Sequence, residues 1–429
     1  MPPRASRRAV VAVAIWAACL ALVWAVGLVL ERAGAVITYG GAPPFVGHVR
    51  LRVSGGTVVA VLVATLVVVR GPAFARSARW GVLLLAGWVT TAAFAVALAT
   101  TDGWDALTAP LRGEHDYLGV VPVVREAPGV FVRTFTERAL DYPIHVRGHP
   151  PGFPLLLAGM DRVGLGGAGW AAALVIGVGT SAVVAVAITV RALGGAPGQD
   201  VVRRALPAVV LAPAALWLAT TGDAFFAGVL AWGIALLALA STRDRAWPWA
   251  LAAGLVLGLC PFLSYGLLPM GALTLVVGVS TRRWVPTLLA GCVVLASAGA
   301  WAVAGFWLPD GIAVTHLASS LGRAADRPYV YFVVADLLLL GVLVGPAAVG
   351  GLTGLSRLPQ EARLLVVVAL GAALMGALSG VERGEVERIW LPLACWVVPA
   401  AAVLASDRRW LVAQAATTVV LQVVLVSAW

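Results

Sequence analysis

The stretch TDGWDALTAPLRGEHDYLGVVPVVREAPGVFVRTFTERALDYPIHVRGHPPG, residues 101–152, is a long polar segment in a chain that is otherwise mostly Ala, Val, Leu and Gly. It holds seven of the twenty acidic residues and three of the five histidines. When polar chemistry is concentrated in one loop of an apolar scaffold, that loop is usually where binding and catalysis take place. The segment is therefore predicted to be a large loop that forms the working surface of the protein.

Apolar runs on both sides of this loop decide the fold class. Of the 429 residues, 61% are hydrophobic and only 12% are charged, which is about half the charged fraction of a soluble domain. The runs recur at close to the roughly 20 residues that a helix needs to cross a bilayer. We predict an all-α polytopic membrane protein with about 13 transmembrane helices, at residues 9–30, 53–69, 80–100, 167–190, 205–219, 224–241, 247–261, 266–280, 284–307, 329–352, 364–379, 389–405 and 411–428.

The arginines, which account for all thirty basic residues, predict how these helices are oriented. We take segment 150–164 as a short helix that dips into the membrane without crossing it. The loops then divide into one side with 17 arginines and 4 acids and another with 13 arginines and 16 acids. The positive-inside rule places the first side, with the N-terminus, in the cytoplasm. Loop 101–152 and the C-terminus are predicted to lie outside.

The composition also limits the setting and the partners. An excess of Ala, Gly and Val without Lys is typical of a GC-rich bacterial genome, so a multi-pass protein of the bacterial plasma membrane is expected. The formal charge of +10 is divided between two membrane faces and does not indicate nucleic-acid binding. The sequence contains neither GxxxxGK[ST] nor GxGxxG after a strand, so a cytosolic nucleotide is not the expected substrate.

The cysteines predict neither a disulfide nor a zinc site. All four lie in apolar segments without a CxxC pair, which is typical of buried thiols. No metal site and no cofactor is predicted, and a requirement for a divalent cation stays open. The first apolar run follows a basic head but has no clear cleavage site, so we expect it to be retained as a helix.

The motif Glu114-His115-Asp116-Tyr117 contains the best candidates for a general base. A carboxylate at a low-dielectric membrane surface can accept the proton of a substrate hydroxyl. On a helix, Glu114 and Tyr117 would share a face and Asp116 would point elsewhere, so one acid, and not obviously both, faces the site. The competing interpretation is an acidic loop that is simply solvated.

His145, Arg147 and His149 alternate just before Pro150-Pro151. Residues that precede proline favour extended backbone, and alternate side chains of an extended segment lie on one side. A row of cationic and hydrogen-bonding groups suits a phosphate or a sugar. The alternative is that these side chains anchor the chain at the membrane interface.

Two carboxylates stand at or inside predicted spans. Asp223 lies at the outer start of the span 224–241, and Asp336 lies about two turns inside the span 329–352. A carboxylate in hydrocarbon is costly and usually faces a polar cavity or a partner, so both are candidate cavity acids. The competing interpretations are an ion pair with an arginine for either residue and, for Asp223, a helix cap.

Arg388 directly precedes Ile389-Trp390-Leu391-Pro392, at the outer mouth of a predicted helix. Its guanidinium is a planar fork of donors that suits a phosphate, so Arg388 is the candidate for holding the phosphate of a lipid-linked donor. The alternative is an arginine that extends to the lipid headgroups.

The order of these motifs resembles the GT-C superfamily of polytopic glycosyltransferases, notably the protein-mannosyltransferase and aminoarabinose-transferase branch. Members carry an acidic motif in the first large outer loop, then an HPPL-like segment and, late in the chain, an Arg-Tyr-Leu-Pro-like motif. The acidic motif maps onto Glu114 or Asp116, the HPPL segment onto His149-Pro150-Pro151, and the late motif onto Arg388.

The resemblance implies a GT-C-like core at residues 80–410 that includes the outer loop 101–152. An extra N-terminal helical hairpin, 1–79, precedes this core, and a C-terminal transmembrane helix, 411–429, follows it. The sequence departs from the family pattern where His115 splits the usual Asp-Glu pair and where Ile389-Trp390 replaces an aromatic-Leu pair.

The activity that this resemblance implies is inverting transfer of a sugar from a polyprenyl-phosphate donor to an envelope glycan, lipid or protein on the outer membrane face. Asp116 or Glu114 would deprotonate the acceptor hydroxyl, and Arg388 would stabilise the departing phosphate. The remaining donor-binding candidates are His145, Arg147, His149 and Tyr117.

Two other functions stay open at this point. A transporter or flippase for a lipid-linked or envelope precursor would use Asp223 and Asp336 as polar points in a cavity. Transporters often contain internal repeats and broken midplane helices, and no convincing repeat is visible in the sequence. The other function is a catalytically silent scaffold for envelope assembly.

Overall fold

The computed structural model describes residues 4–38, 40–219 and 221–427 and is built almost entirely of helices. The first half contains α1 (Arg4–Arg32), α2 (Gly55–Ser77), α3 (Trp80–Ala99), α4 (Val121–Glu126), α5 (Pro128–Arg133), α6 (Ile144–Arg147), α7 (Gly152–Arg162) and α8 (Ala168–Val210). The second half contains α9 (Gly222–Thr242), α10 (Ala246–Leu263), α11 (Ala272–Thr281), α12 (Trp284–Val303), α13 (Leu308–Leu321), α14 (Tyr329–Leu352), α15 (Gln360–Ser379), α16 (Val386–Ile389), α17 (Leu391–Val397) and α18 (Arg408–Val424).

Short 3-10 helices and one two-stranded sheet complete the chain. The strands β1 (Gly47–Val49) and β2 (Leu425–Ser427) pair antiparallel. The 3-10 helices are Thr100–Asp102, Trp104–Leu107, Pro110–Arg112, Tyr117–Val120, Ala139–Asp141, Pro213–Leu216, Tyr265–Leu267, Pro269–Gly271, Arg323–Asp326, Leu355–Arg357 and Val398–Leu404.

Nine helices within the described ranges are long and apolar enough to cross a membrane, which confirms the polytopic α-helical class. They coincide with nine of the thirteen predicted spans. The other four predictions fall on shorter elements, so thirteen crossings are not established. These elements are the last residues of α8, the short apolar helical segments Tyr265–Thr281 and Leu391–Leu404, and α18. The helix α18 ends at Val424, and β2 follows it.

The helix α9 is the centre of the bundle. In its most apolar window 83% of the residues are buried, compared with 11% in the windows of α1 and α12. The helix α1 packs against α14, whereas α2 packs against α3 and α8. A residue in the first turn of α9 therefore lies at the middle of one end of the bundle, and Asp223 is such a residue.

The long helix α8 reverses direction at Gly195, so residues 168–194 and 196–210 lie side by side. Gly195 has φ 59° and ψ −135°, which are not helical values. A Cβ atom on Gly198 would lie 2.2 Å from the Val190 carbonyl oxygen, so only glycine allows the two arms to approach this closely. The turn is the reason why the predicted span 205–219 appears as an arm of α8 that ends at Val210.

A break in α14 at Gly345-Pro346 is filled by the buried side chain of Gln414 from α18. The Ala347 N–H donates to Gln414 Oε1 at 3.0 Å, and Gln414 Nε2 donates to the Val344 carbonyl at 2.8 Å. The same Nε2 donates to the Ala208 carbonyl of α8 at 3.3 Å. One amide thus satisfies backbone groups that a broken helix would leave exposed to hydrocarbon.

Segment 150–164 contains α7, whose 11 residues extend for about 16 Å and cannot cross a membrane. At its end Asp161 pairs with Arg125 of α4 at 2.9 Å. A short helix was predicted here, and the structure contains one, while its dip into the membrane stays a prediction.

Segments that were predicted to share one membrane side meet at one end of the bundle. Arg52 pairs with Asp102, and the Val46 N–H donates to Glu387 Oε1 at 3.1 Å. The Thr315 hydroxyl donates to the Arg147 carbonyl at 3.1 Å. The loops 31–52, 101–152, 308–328 and 380–388 are therefore in contact, and β2 joins them through β1.

Candidate functional site

A cavity of about 800 Å³ opens among these loops at the end of the bundle. Its volume lies within the usual range of small-molecule sites, roughly 300–1,000 Å³. Its walls come from loop 31–52, loop 101–152, the start of α9, the loop after α13, the turn of α16 and the C-terminal segment that contains β2. The ionisable and histidine side chains of the lining are Arg52, Asp102, Glu114, His115, Asp116, Tyr117, His145, Asp223, Arg323, Glu385 and Arg388.

Asp116 is buried in the cavity wall and is held from two directions. Its Oδ1 accepts a 2.6 Å hydrogen bond from the Tyr117 N–H, which caps the 3-10 helix that follows. Its Oδ2 lies 3.3 Å from His145 Nδ1. Glu114 lines the same cavity but is exposed. The two acids of the motif are therefore separated, with Asp116 in the wall and Glu114 at the rim.

The segment that contains His145, Arg147 and His149 is helical, so the prediction of an extended row is wrong. Residues 144–147 form α6, in which the Arg147 N–H donates to the Pro143 carbonyl at 2.9 Å. Proline at the start of this turn supplies a φ that suits a helix. His145 and His149 are then four residues apart and share a face, but neither His149 nor Arg147 is part of the cavity lining, which contains His145.

His149 is partly buried between Tyr117, Phe226 and Asp223. Its Nδ1 donates to the His145 carbonyl at 2.8 Å, and its Nε2 lies 3.9 Å from Asp223 Oδ1. Burial lowers the pKa of His149 to about 4, and this effect outweighs the nearby carboxylate of Asp223. His149 is therefore neutral at neutral pH.

Tyr117 packs beneath the two histidines. Its ring centroid lies 5.8 Å from that of His149, 6.0 Å from that of His145 and 4.9 Å from that of Phe153. Burial raises the pKa of Tyr117, so the phenol stays protonated. The tyrosine ring thus lies against both histidines and against Phe153 of α7.

Arg388 lies between two carboxylates at the cavity wall. Its Nη1 is 2.8 Å from Asp223 Oδ2, and its Nη2 is 2.8 Å from Glu385 Oε2. Burial alone would lower the pKa of Arg388, but Asp223 and Glu385 raise it above its usual value. Asp223 thus lines the cavity and is also paired with an arginine, whereas the N-cap of α9 is Thr221.

Glu385 was not among the predicted site residues, although it holds Arg388 in place. Its backbone is left-handed, with φ 63°, which is rare for a residue with a side chain. Its Oε1 lies 3.3 Å from Arg327 Nη2, so the carboxylate links two arginines. Burial would raise the pKa of Glu385, but Arg388 and Arg327 outweigh it and lower the pKa.

Asp336 does not line the cavity, so its prediction as a cavity acid is wrong. It is fully buried in α14 and accepts hydrogen bonds from the Gly384 N–H at 3.2 and 3.4 Å.

Two neighbouring acids also hold loop 380–388 in place. Trp390 Nε1 donates to Glu382 at 2.6 Å, and Glu387 accepts from Val46. Burial raises the pKa of Glu387 to about 6. These acids shape the loop that carries Glu385 and Arg388.

The chemical capacity of the cavity comes from two groups of side chains. Asp116 with His145 can accept a proton, and Arg388, Arg52 and Arg323 bring positive charge to the lining. Among the residues that the structure describes, no group of three or more His, Cys, Asp or Glu side chains could hold a metal ion.

Comparisons with protein-family models, with curated proteins and with solved structures find no match to this chain. The resemblance to GT-C glycosyltransferases therefore rests on the short motifs at 114–117, at 149–151 and at Arg388. The cavity brings together Asp116, His145 and Arg388, which are far apart in the sequence.

Proposed function

We propose that this protein is an inverting glycosyltransferase that moves a sugar from a polyprenyl-phosphate donor to a cell-envelope acceptor. The observation that carries the proposal is that a proton-accepting pair, Asp116 and His145, and a guanidinium, Arg388, line one cavity of about 800 Å³. That cavity lies at the end of an apolar helical bundle, where the phosphate of a membrane lipid would be found.

In this mechanism the Asp116–His145 pair removes the proton of the acceptor hydroxyl as its oxygen attacks the anomeric carbon. The bond between that carbon and the phosphate oxygen breaks on the opposite side. Arg388 then stabilises the charge that develops on the departing phosphate. Glu114 lines the same cavity from its exposed rim, whereas His149 is not part of the lining.

The two other functions receive less support from the geometry. A transporter that uses Asp223 and Asp336 would need both acids in one cavity, but Asp336 is bound to the Gly384 N–H outside the lining. A silent scaffold has no use for the buried Asp116–His145 pair. The transferase therefore accounts for more of the buried polar residues.

The decisive test compares Asp116→Asn with Glu114→Gln, two acid-to-amide changes in one motif. Each purified variant is placed in liposomes with polyprenyl phosphates that carry radiolabelled hexoses or pentoses, and with a bacterial envelope extract as acceptor. Loss of a positioned base costs on the order of 10²–10⁴ in rate, so Asp116→Asn should show that loss. Glu114→Gln should retain more than about a tenth of the wild-type rate because Glu114 is exposed.

Two results would contradict the proposal. If the wild-type protein transfers no sugar from any donor, it is not a transferase of this class. If Asp116→Asn transfers sugar at the wild-type rate, the site is elsewhere in the molecule.

We further propose that the protein lies in a bacterial plasma membrane with the cavity on the outer face, as the arginine distribution predicts. Glu126 in the loop 101–152 and Asp244 in the α9–α10 connection are both exposed. With the four native cysteines replaced by serine, a membrane-impermeant maleimide should label Glu126→Cys in intact cells and Asp244→Cys only after permeabilisation. The reverse pattern would invert the orientation.

A further inference from the structure

The Asp116–His145 pair is tied together twice, once through side chains and once through the backbone. The carboxylate contacts the imidazole through Oδ2 and Nδ1, at 3.3 Å. The His145 N–H also donates to the carbonyl of His115, the residue before Asp116, at 3.0 Å. The orientation of the imidazole relative to the carboxylate is therefore fixed by the fold.

The geometry gives the two partners different roles. Both oxygens of Asp116 already contact groups of the protein, Oδ1 the Tyr117 N–H and Oδ2 the His145 ring. A carboxylate that receives an imidazole Nδ1–H fixes the tautomer in which Nε2 carries the lone pair. Nε2 lies on the opposite edge of the ring from Asp116, and His145 is part of the cavity lining.

We propose that His145 is the general base of this site and that Asp116 is the positioning residue that holds its tautomer and orientation. This inference rests on the proposed sugar transfer. It replaces the prediction from the sequence, in which an acid of the 114–117 motif took the proton.

The proton and electron balance is simple. The acceptor O–H bond breaks, its proton moves to His145 Nε2, and the oxygen forms a bond to the anomeric carbon. The bond from that carbon to the donor phosphate oxygen breaks, and the polyprenyl phosphate leaves with the electron pair. The imidazolium then faces the Asp116 carboxylate until it releases the proton to solvent.

The surroundings of His145 favour this charge change. Glu385 is close enough for a charged His145 to lower the pKa of Glu385, so a second carboxylate would stabilise the imidazolium. His149 is neutral because burial lowers its pKa to about 4, and it does not repel the new charge. The titratable and charged side chains that share the cavity lining with His145 or pack beside it are Arg52, Asp102, Glu114, His115, Asp116, Tyr117, His149, Asp223, Arg323, Glu385 and Arg388.

Basicity also favours the imidazole. Free imidazole titrates near pH 6.5 and a free aspartic acid near pH 3.9, so imidazole is the stronger base by more than a hundredfold. General bases work best when they titrate near the operating pH.

The test uses His145→Asn, whose amide nitrogen can still donate to Asp116 from the position of Nδ1 but which lacks Nε2. We expect kcat to fall on the order of 10²–10⁴-fold while KM for the polyprenyl-phosphate sugar stays within about threefold, since the base does not bind the donor phosphate. The control is His316→Asn, the same change at an exposed histidine of α13, with an unchanged kcat expected. Imidazole in the buffer should restore part of the rate of His145→Ala, whatever the stability of that variant.

The possible results separate the role of His145 from the proposed transferase function. If the wild-type enzyme transfers sugar and His145→Asn keeps more than about a tenth of its kcat, His145 is not the base and the transferase remains. A His145→Ala variant that imidazole does not rescue has the same meaning. A wild-type protein without transfer would overturn the proposed function together with this inference.

Discussion

Alanine in place of Arg388 is expected to lower the free energy of unfolding by about 3–5 kcal/mol and to abolish sugar transfer. The guanidinium is almost fully buried and lies 2.8 Å from carboxylate oxygens of both Asp223 and Glu385. Removing one partner of a buried ion pair leaves the other charge without compensation, which is the costly case. Glu385 would keep Arg327, but Asp223 would keep only the neutral His149 at 3.9 Å.

Two further variants separate stability from catalysis at this position. Arg388→Met combined with Asp223→Leu removes both buried charges and should recover most of the lost stability without any transfer. Arg138→Ala is the matched control, because Arg138 pairs with Asp141 at 3.7 Å on the exposed surface of the same end. An exposed pair contributes about 0–1 kcal/mol. Thermal unfolding in detergent measures all three, and an Arg388→Ala variant as stable as Arg138→Ala would contradict the buried-pair account.

Replacing Gln414 by leucine is expected to be similarly damaging, although Gln414 is remote from the cavity lining. The change keeps the size of the side chain but leaves three buried backbone groups without their partner, namely the Ala347 N–H and the carbonyls of Val344 and Ala208. An unsatisfied buried group costs about 1–3 kcal/mol each. Within a membrane no water replaces the lost partner.

The matched control for Gln414 is Thr417→Val in the same helix. The Thr417 hydroxyl donates only to the Ala413 carbonyl, one turn earlier, and that carbonyl keeps its helical partner. Thermal unfolding should show a large loss for Gln414→Leu and a change within about 0.5 kcal/mol for Thr417→Val. Equal melting temperatures for the two variants would mean that the break in α14 is stable without the amide.

Hydrophobicity alone predicts most of the helices, because a long apolar run in this composition has no alternative to a helix within a bilayer. The sequence is less informative about where a helix turns back. The reversal of α8 depends on the φ of Gly195 and the close approach at Gly198, and glycines are common throughout this chain. The sheet was not predicted either, because three-residue strands leave no periodicity to detect.

The residues that were predicted for the site and that line the cavity include two of a type unusual for their position. Asp223 and Arg388 stand next to apolar spans, and both line the cavity. The prediction for Arg147 was wrong because the segment forms one turn of helix, in which Arg147 is rotated away from His145. The composition of the segment does not distinguish such a turn from an extended chain. The prediction for Asp336 was wrong because a buried carboxylate can accept its hydrogen bonds from a backbone N–H instead of facing a cavity.

Three residues of the cavity lining were not predicted from the sequence. Glu385, Arg52 and Arg323 lie in polar loops that contain many other charged residues. The sequence does not distinguish them from those residues, and only their contacts in the structure identify them as part of the site. For Glu385 the selecting feature is a left-handed backbone that directs its carboxylate toward two arginines. Such backbone geometry has no sequence signature when the residue is not glycine.

The pairing of β1 with β2 has a consequence for how the protein is made. Residues 47–49 leave the ribosome early, whereas their partners 425–427 and the cavity-lining Gln422 are synthesised after every other wall. Arg52 likewise donates to the carbonyls of Gln422 and Leu425. The growing chain must keep its first loop unpaired while the rest of the bundle inserts. The cavity thus closes only after residues 425–427 have been synthesised, so that a chain that stops before them can fold its helices and still lack a finished binding chamber.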